Sequence, residues 1–257
     1  MDPILFTIDA GVAVITLNRP DKLNSFIRQM ALDLQDRLDD CKAAEVRAVY
    51  ISGAGKAFSA GQDLAEVVNP EGPGMSRILS EHYNPVILKI RQLEKPVIAA
   101  VNGVAAGAGA NIAFCCDVIV ASQSAVFIQA FSKIGLVPDS GGTYFLPRLI
   151  GWQKASALMM LGDKVSATEA ERMGMVYKIF EDTTFREESL NIARTMANMP
   201  TRGLAYTKQL LEKSFSNDLG KQLEAEDKLQ QLAGATADFK EGTLAFLEKR
   251  SPHFRGE

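Results

Sequence analysis

The first two-thirds of this 257-residue chain repeat one pattern: a β-branched run, a turn containing Gly or Pro, then a stretch of helical periodicity. Strand side chains alternate faces every second residue and helical ones every 3.6, so a chain that keeps switching between the two periods calls for an α/β fold. The spacing predicts strands over residues 4–9, 12–17, 48–52, 97–101, 118–121 and 177–180, the first two joined by Ala10-Gly11 as a hairpin. Residues 25–43 carry Phe26, Met30, Leu34 and Leu38 in a four-residue stripe and read as a helix. Ser166-Ala-Thr-Glu169 matches a capping box that opens a short helix, with Gly174 suited to end it. After Asp182 the strand signal vanishes, and helical patterns follow at 185–199, 201–214, 219–232 and 238–249. Leu210, Leu229, Leu232, Leu244, Phe246 and Leu247 would cover more than one face of that tail, which calls for packing on a neighbouring subunit or back on its own core.

Composition removes several classes of function. With 47% hydrophobic and 23% charged residues the chain can bury a large core. A formal charge of -3 provides no basic field, so a nucleic-acid partner is disfavoured. The start MDPILFTIDAG has an acid and no basic segment leading into an apolar run, and the apolar runs elsewhere fall short of the ~20 residues of a membrane span. A cytoplasmic protein with no membrane association is expected. Cys41, Cys115 and Cys116 suit neither a disulfide framework nor a zinc site and read as reduced, buried thiols. His82 and His253 are the only histidines; with no nucleophile-elbow motif beside them, both read as solvated. No Walker loop, complete dinucleotide fingerprint or metal-ligand spacing is present.

The chemistry is carried by three glycine-containing turns. Residues 56–63 (KAFSAGQD) and 102–111 (NGVAAGAGAN) follow strands, and a helix starting at Ala108 would direct free N–H groups outward. Two such donors from separate turns can converge on one oxygen as an oxyanion hole; Gly107 and Gly109 equally suit close helix packing. The third turn, 135–143 (GLVPDSGGT), leaves Asp139 near a helix N-terminus, where aspartate is a common cap. A general base would instead need an apolar pocket, which Phe131, Ile134, Leu136 and Phe145 could supply.

LNRPDKLNS, KAFSAGQDL, KPVIAAVNGVAAGAGANIAFCCDVIVAS, GLVPDSGGTYFLPRLIG and EGTLAFLEKR together resemble the enoyl-CoA hydratase/isomerase, or crotonase, superfamily, in the right order over essentially the whole chain. The resemblance implies an α/β spiral of repeated ββα units with a C-terminal helical trimerisation region. Residues 1–195 would form the core with the acyl-CoA site, and residues 196–257 would serve oligomerisation as a homotrimer or dimer of trimers. It also implies an acyl-CoA substrate and no cofactor beyond the coenzyme A that the substrate carries. The thioester oxygen would be held by the N–H groups of Gln62 and Ala108, with Gly109 the neighbouring alternative. Lys22, Ala60, Asp63, Gly109 and Lys249 fall at substrate or coenzyme A contacts, Lys249 from a neighbouring subunit. Hydratases of the family use two glutamates, at positions matched here by Asn111 and Phe131, so simple hydration is not expected. Some isomerases place an aspartate where Asp139 stands, which turns its reading from cap to acid–base catalyst. The expectation is an isomerase working through a thioester enolate. A hydratase, a dehalogenase or hydrolase, and a non-catalytic acyl-CoA- or RNA-binding relative are the alternatives.

Overall fold

The structure is a computed structural model and describes residues 2–257. Its strands are β1 (Ile4–Asp9), β2 (Val12–Leu17), β3 (Ala48–Gly53), β4 (Ala57–Ser59), β5 (Val97–Val101), β6 (Val104–Ala106), β7 (Val118–Ser122), β8 (Val126–Ile128), β9 (Lys164–Ser166) and β10 (Lys178–Phe180). They form a 6-stranded sheet in the order β1-β2-β3-β5-β7-β10 and a 4-stranded sheet in the order β4-β6-β8-β9. The chain crosses from the larger sheet to the smaller at β3 to β4, β5 to β6 and β7 to β8, each time before turning into helix. That recurrence is the ββα spiral.

β1 and β2 pair antiparallel, and Ala10 and Gly11 between them have φ 47 and 80, both left-handed as a tight hairpin turn requires. The other pairings of the larger sheet are parallel. β3 and β5 are apolar almost throughout because both faces are covered. Ala48, Tyr50, Ile98 and Ala100 face the helix Phe185–Ala197. Their alternates Val49, Ile51, Val97 and Ala99 enter the main core. A boundary at residue 195 falls within the last turn of that helix, which belongs to the core by packing.

Helix Arg28–Asp40 begins later than the expected residue 25 because Phe26 is used in a β-bridge to Gln62, which requires extended backbone. Met30, Leu34 and Leu38 are buried as the stripe predicted. Ser166 caps Ala167–Arg172, its Oγ accepting the N–H of Glu169 at 3.3 Å, but the Glu169 carboxylate pairs with Arg172 at 3.6 Å and does not complete a capping box. The tail folds as Phe185–Ala197, Thr201–Lys213, Leu219–Gly234 and Ala237–Glu248. Phe246 and Leu247 of its last helix are 82% and 72% exposed, so the tail's own chain leaves that face uncovered. All three cysteines are buried and unbridged, and burial pushes the Cys41 thiol up to about 12. Among the described residues no helix is long and apolar enough to cross a membrane.

Candidate active site

The parallel strands β4, β6 and β8 end side by side, and the chain leaving each one enters a common cavity of about 200 Å³. Space outside the carboxyl ends of parallel strands is where loops diverge and helix N-termini gather, so ligands settle there. Ala60 to Gln62 leave β4, Gly107 and Ala108 leave β6, and Phe131 follows β8.

The first two turns touch each other. A Cβ on Gly61 would lie 2.9 Å from the Ala106 carbonyl oxygen and 3.3 Å from the Ala108 nitrogen, and Gly61 has φ +86, so space and backbone both demand glycine. The bridge to Phe26 uses the Phe26 N–H to Gly61 O at 2.7 Å and the Asp63 N–H to Phe26 O at 2.8 Å. Gln62 lies between these two bonded positions, and its own N–H points to the opposite side. Ala108 opens the helix Ala108–Phe114, so its N–H has no intrahelical acceptor. Two peptide donors from separate turns thus border one cavity.

The Gln62 side chain is held at both ends. Its Oε1 accepts the Tyr83 hydroxyl at 2.9 Å and its Nε2 donates to Glu66 Oε2 at 2.8 Å. Tyr83 is 1% exposed and lines the cavity, and burial first, then the charges of Asp139 and Glu66, push its phenol well above the ordinary range.

Asp139 reaches the cavity from the turn before helix Gly142–Ile150. That helix has Gly141 as its N-cap and no side-chain cap, so the aspartate is not spent on capping. The Asp139 carbonyl accepts the Gly142 N–H at 2.8 Å, closing a turn whose central residues Ser140 and Gly141 have φ 50 and 73. Burial raises the Asp139 pKa, opposed in part by a hydrogen bond from Ser140 Oγ, 2.7 Å from Oδ1, and by its own backbone N–H. Phe131, Ile134 and Leu136 share the cavity as expected. Phe145 does not; it packs against Gly141, where an added Cβ would lie 2.8 Å from its ring.

Asn111 is fully buried behind this turn, donating through Nδ2 to the Asp139 carbonyl at 2.8 Å and accepting from Gln129 Nε2 at 2.8 Å. Gly109 packs the helix onto β4: a Cβ there would lie 2.5 Å from the Ser59 carbonyl oxygen. Asp63 caps helix Leu64–Val68, accepting the Ala65 N–H at 3.2 Å, and pairs with Arg19 at 3.1 Å. Lys22 ends the 3-10 turn Pro20–Lys22 and Lys249 follows helix Ala237–Glu248; both are exposed, and neither lines the cavity within one chain.

Sequence reasoning missed Tyr83, Lys133, Met75 and Ile78, all of which border the cavity. No motif marks them. The expectation of two solvated histidines is corrected for His82, which is 0% exposed in the π-helical turn Ile78–Tyr83 and has no hydrogen-bond partner at either ring nitrogen. Its turn packs inward on helix Arg28–Asp40, which a local reading of polar character cannot foresee. His253 is exposed.

The profile of the enoyl-CoA hydratase/isomerase family matches residues 7–257. The 1,2-epoxyphenylacetyl-CoA isomerase of Escherichia coli K12 is 44% identical over 100% of both chains. A Rhodobacter capsulatus chain called "Probable enoyl-CoA hydratase" is 43% identical over 98% of each. The crystal structure of an enoyl-CoA hydratase from Bacillus anthracis superposes with a TM-score of 0.93 at 31% identity, covering 99% of this chain and 100% of that one. The chain belongs to the enoyl-CoA hydratase/isomerase family, the crotonase superfamily. Its class is that of enzymes acting on CoA thioesters, isomerases and hydratases by chemistry.

Proposed function

We propose that this chain is an acyl-CoA isomerase in which the N–H groups of Gln62 and Ala108 hold the thioester oxygen and Asp139 moves the proton. Each such donor contributes about 3 kcal/mol to a developing enolate by pointing a fixed dipole at charge formed in the transition state. Asp139, with its pKa raised by burial, takes a proton from the acyl chain and returns it elsewhere, shifting a double bond from the β,γ to the α,β position. On an aromatic epoxide, ring expansion breaks the carbon–carbon bond shared by the two epoxide carbons and keeps both C–O bonds. Asp139 then moves the side-chain α-proton onto the ring through the same thioester enolate, so conversion of ring-1,2-epoxyphenylacetyl-CoA to its oxepin is the second reaction proposed. The similarity to the Escherichia coli isomerase supports that substrate.

One observation carries the choice of isomerase over hydratase: Asp139 is the one carboxylate lining the cavity among the described residues. Asn111 is tied to the Asp139 carbonyl and Phe131 has no proton to give, so a water would lack a second group to activate it. The reading asks for no cofactor beyond coenzyme A. It assigns Lys22 and, from a neighbouring subunit, Lys249 to the coenzyme A phosphates, in a cytoplasmic trimer or dimer of trimers. Exposed Phe246 and Leu247 are apolar surface such an assembly would cover.

The deciding experiment incubates the enzyme with β,γ-unsaturated acyl-CoA and with the phenylacetyl-CoA epoxide in deuterated water, then locates the label. Double-bond shift with label at the carbon that regains the proton is expected, and Asp139→Asn should lower turnover by roughly 10²–10⁴ while CoA-ester binding persists. Steady water addition to crotonyl-CoA, or a covalent ester on Asp139 in quenched enzyme, would overturn the proposal.

A further inference from the structure

Ser140 sits in a conformation that its residue type disfavours. Its φ of 50 lies in the left-handed region, where the Cβ crowds the following carbonyl, and it is 3% exposed. A position of this kind in a Gly-Gly turn would ordinarily be a third glycine, which adopts the conformation freely. The hydroxyl is what the serine adds. Its Oγ lies 2.7 Å from Asp139 Oδ1, and since an ionised carboxylate only accepts, the hydroxyl donates. Strain that the surroundings hold in place marks a residue kept for its side chain.

We propose that Ser140 is a positioning residue that sets both the rotamer of the Asp139 carboxylate and the pH at which it becomes a base. This inference rests on the reading of Asp139 as the acid–base group. The turn presents Ser140 to one carboxylate oxygen of a residue that lines the cavity. The Asn111 amide and the Gly142 N–H both hold the Asp139 carbonyl, so the main chain cannot swing the carboxylate away. A hydrogen bond to the ionised form favours that form, which works against the burial that raises the Asp139 pKa. The titratable groups that share the cavity are the Tyr83 phenol, from the turn Ile78–Tyr83, which feels the Asp139 charge, and Lys133, from the turn Ala130–Ile134. Neither lies within the Asp139 turn, so substitution of Ser140 leaves both in place.

The test is Ser140→Gly, which removes the hydroxyl and relieves the left-handed strain, so it folds. The pH profile of kcat for β,γ-enoyl-CoA isomerisation is measured beside that of Ser140→Ala. The acid limb of both variants is expected to move to higher pH. Turnover falls roughly tenfold or more below the limb and recovers to within about threefold above it. Ser140→Ala melts lower than Ser140→Gly but shows the same limb. A limb that stays in place, with a loss uniform across pH, makes Ser140 a structural residue only and overturns the inference. So does a limb that moves in one variant and not the other. Asp139→Asn run in parallel separates this failure from that of the reading beneath it: if that variant is inactive while the Ser140 limb does not move, only the Ser140 role falls.

Discussion

The carboxamide of Asn111 donates to the main-chain carbonyl of Asp139 at 2.8 Å, so the residue at the position matched by a hydratase glutamate braces the carboxylate proposed to do the chemistry. Gln129 Nε2 donates to Asn111 Oδ1 at 2.8 Å and fixes which way the amide faces. Replacing Asn111 with Asp keeps the shape but sets an acceptor against a carbonyl and buries a charge with one donor. We expect Asn111→Asp to lower unfolding free energy by about 2–4 kcal/mol and to reduce turnover with it. Denaturant melts and isomerisation assays check this; unchanged stability would contradict the brace.

Tyr83 tests the opposite wall. Its hydroxyl is the donor to Gln62 Oε1, while Glu66 accepts from the other end of that amide and its Oε1 accepts the Arg28 N–H at 2.9 Å. Tyr83→Phe removes the hydroxyl and keeps the ring. It is expected to lower stability by about 1 kcal/mol and turnover by up to roughly tenfold, since the Gln62 side chain then loses one of the two bonds that steady its peptide beside the cavity. The carbonyl stretch of a bound, isotope-labelled thioester reports polarisation directly, and a stretch identical to that of the wild type would remove Tyr83 from the account.

Gly109 separates packing from ligand contact. With Ser59 O 2.5 Å from where a Cβ would stand, Gly109→Ala must push helix Ala108–Phe114 off β4 and carry the Ala108 N–H with it. Overpacking of this kind costs about 1–3 kcal/mol. A melting temperature and a turnover that fall together are the expected outcome. Loss of acyl-CoA affinity at unchanged stability would show that Gly109 contacts the ligand instead.

How far the fold was legible follows from strand length. β1, β2, β3, β5, β7 and β10, the whole of the larger sheet, could be read because a run of five or six β-branched or small apolar residues stands out from its turns; β10, shorter, was found by its neighbours Val176 and Tyr177. The smaller sheet was not read at all, since β4, β6, β8 and β9 are three residues each and β4 and β6 lie inside what look like glycine turns. Yet that sheet aims the site. The glycines were visible because a close approach leaves a mark on composition, and Ala108 was placed at a helix start correctly. Tyr83 and Lys133 left no mark, because what brings them to the cavity is how the segment 64–83 and the turn Ala130–Ile134 fold over it. Local patterns do not encode such a meeting of distant segments.

His82 yields a prediction about stability alone. Both ring nitrogens are buried without partners, and desolvation lowers its pKa, opposed by Glu66 and Glu81 and aided by Arg28 and Arg77. The unfolded chain takes up a proton at the ordinary histidine value of about 6.5, whereas the folded one resists until lower pH. Between those two values the unfolded state holds the extra proton, so stability is complete above about 6.5 and declines as pH falls through that window. His82→Leu removes an unsatisfied polar group along with the titration. The variant is expected to gain about 1 kcal/mol at pH 7.5 and to lose less than the wild type on going to pH 5. Urea melts at pH 7.5, 6.5 and 5 measure both effects. Parallel pH dependences for the two proteins would mean that His82 titrates in the fold as it does in the unfolded chain, and would overturn the prediction.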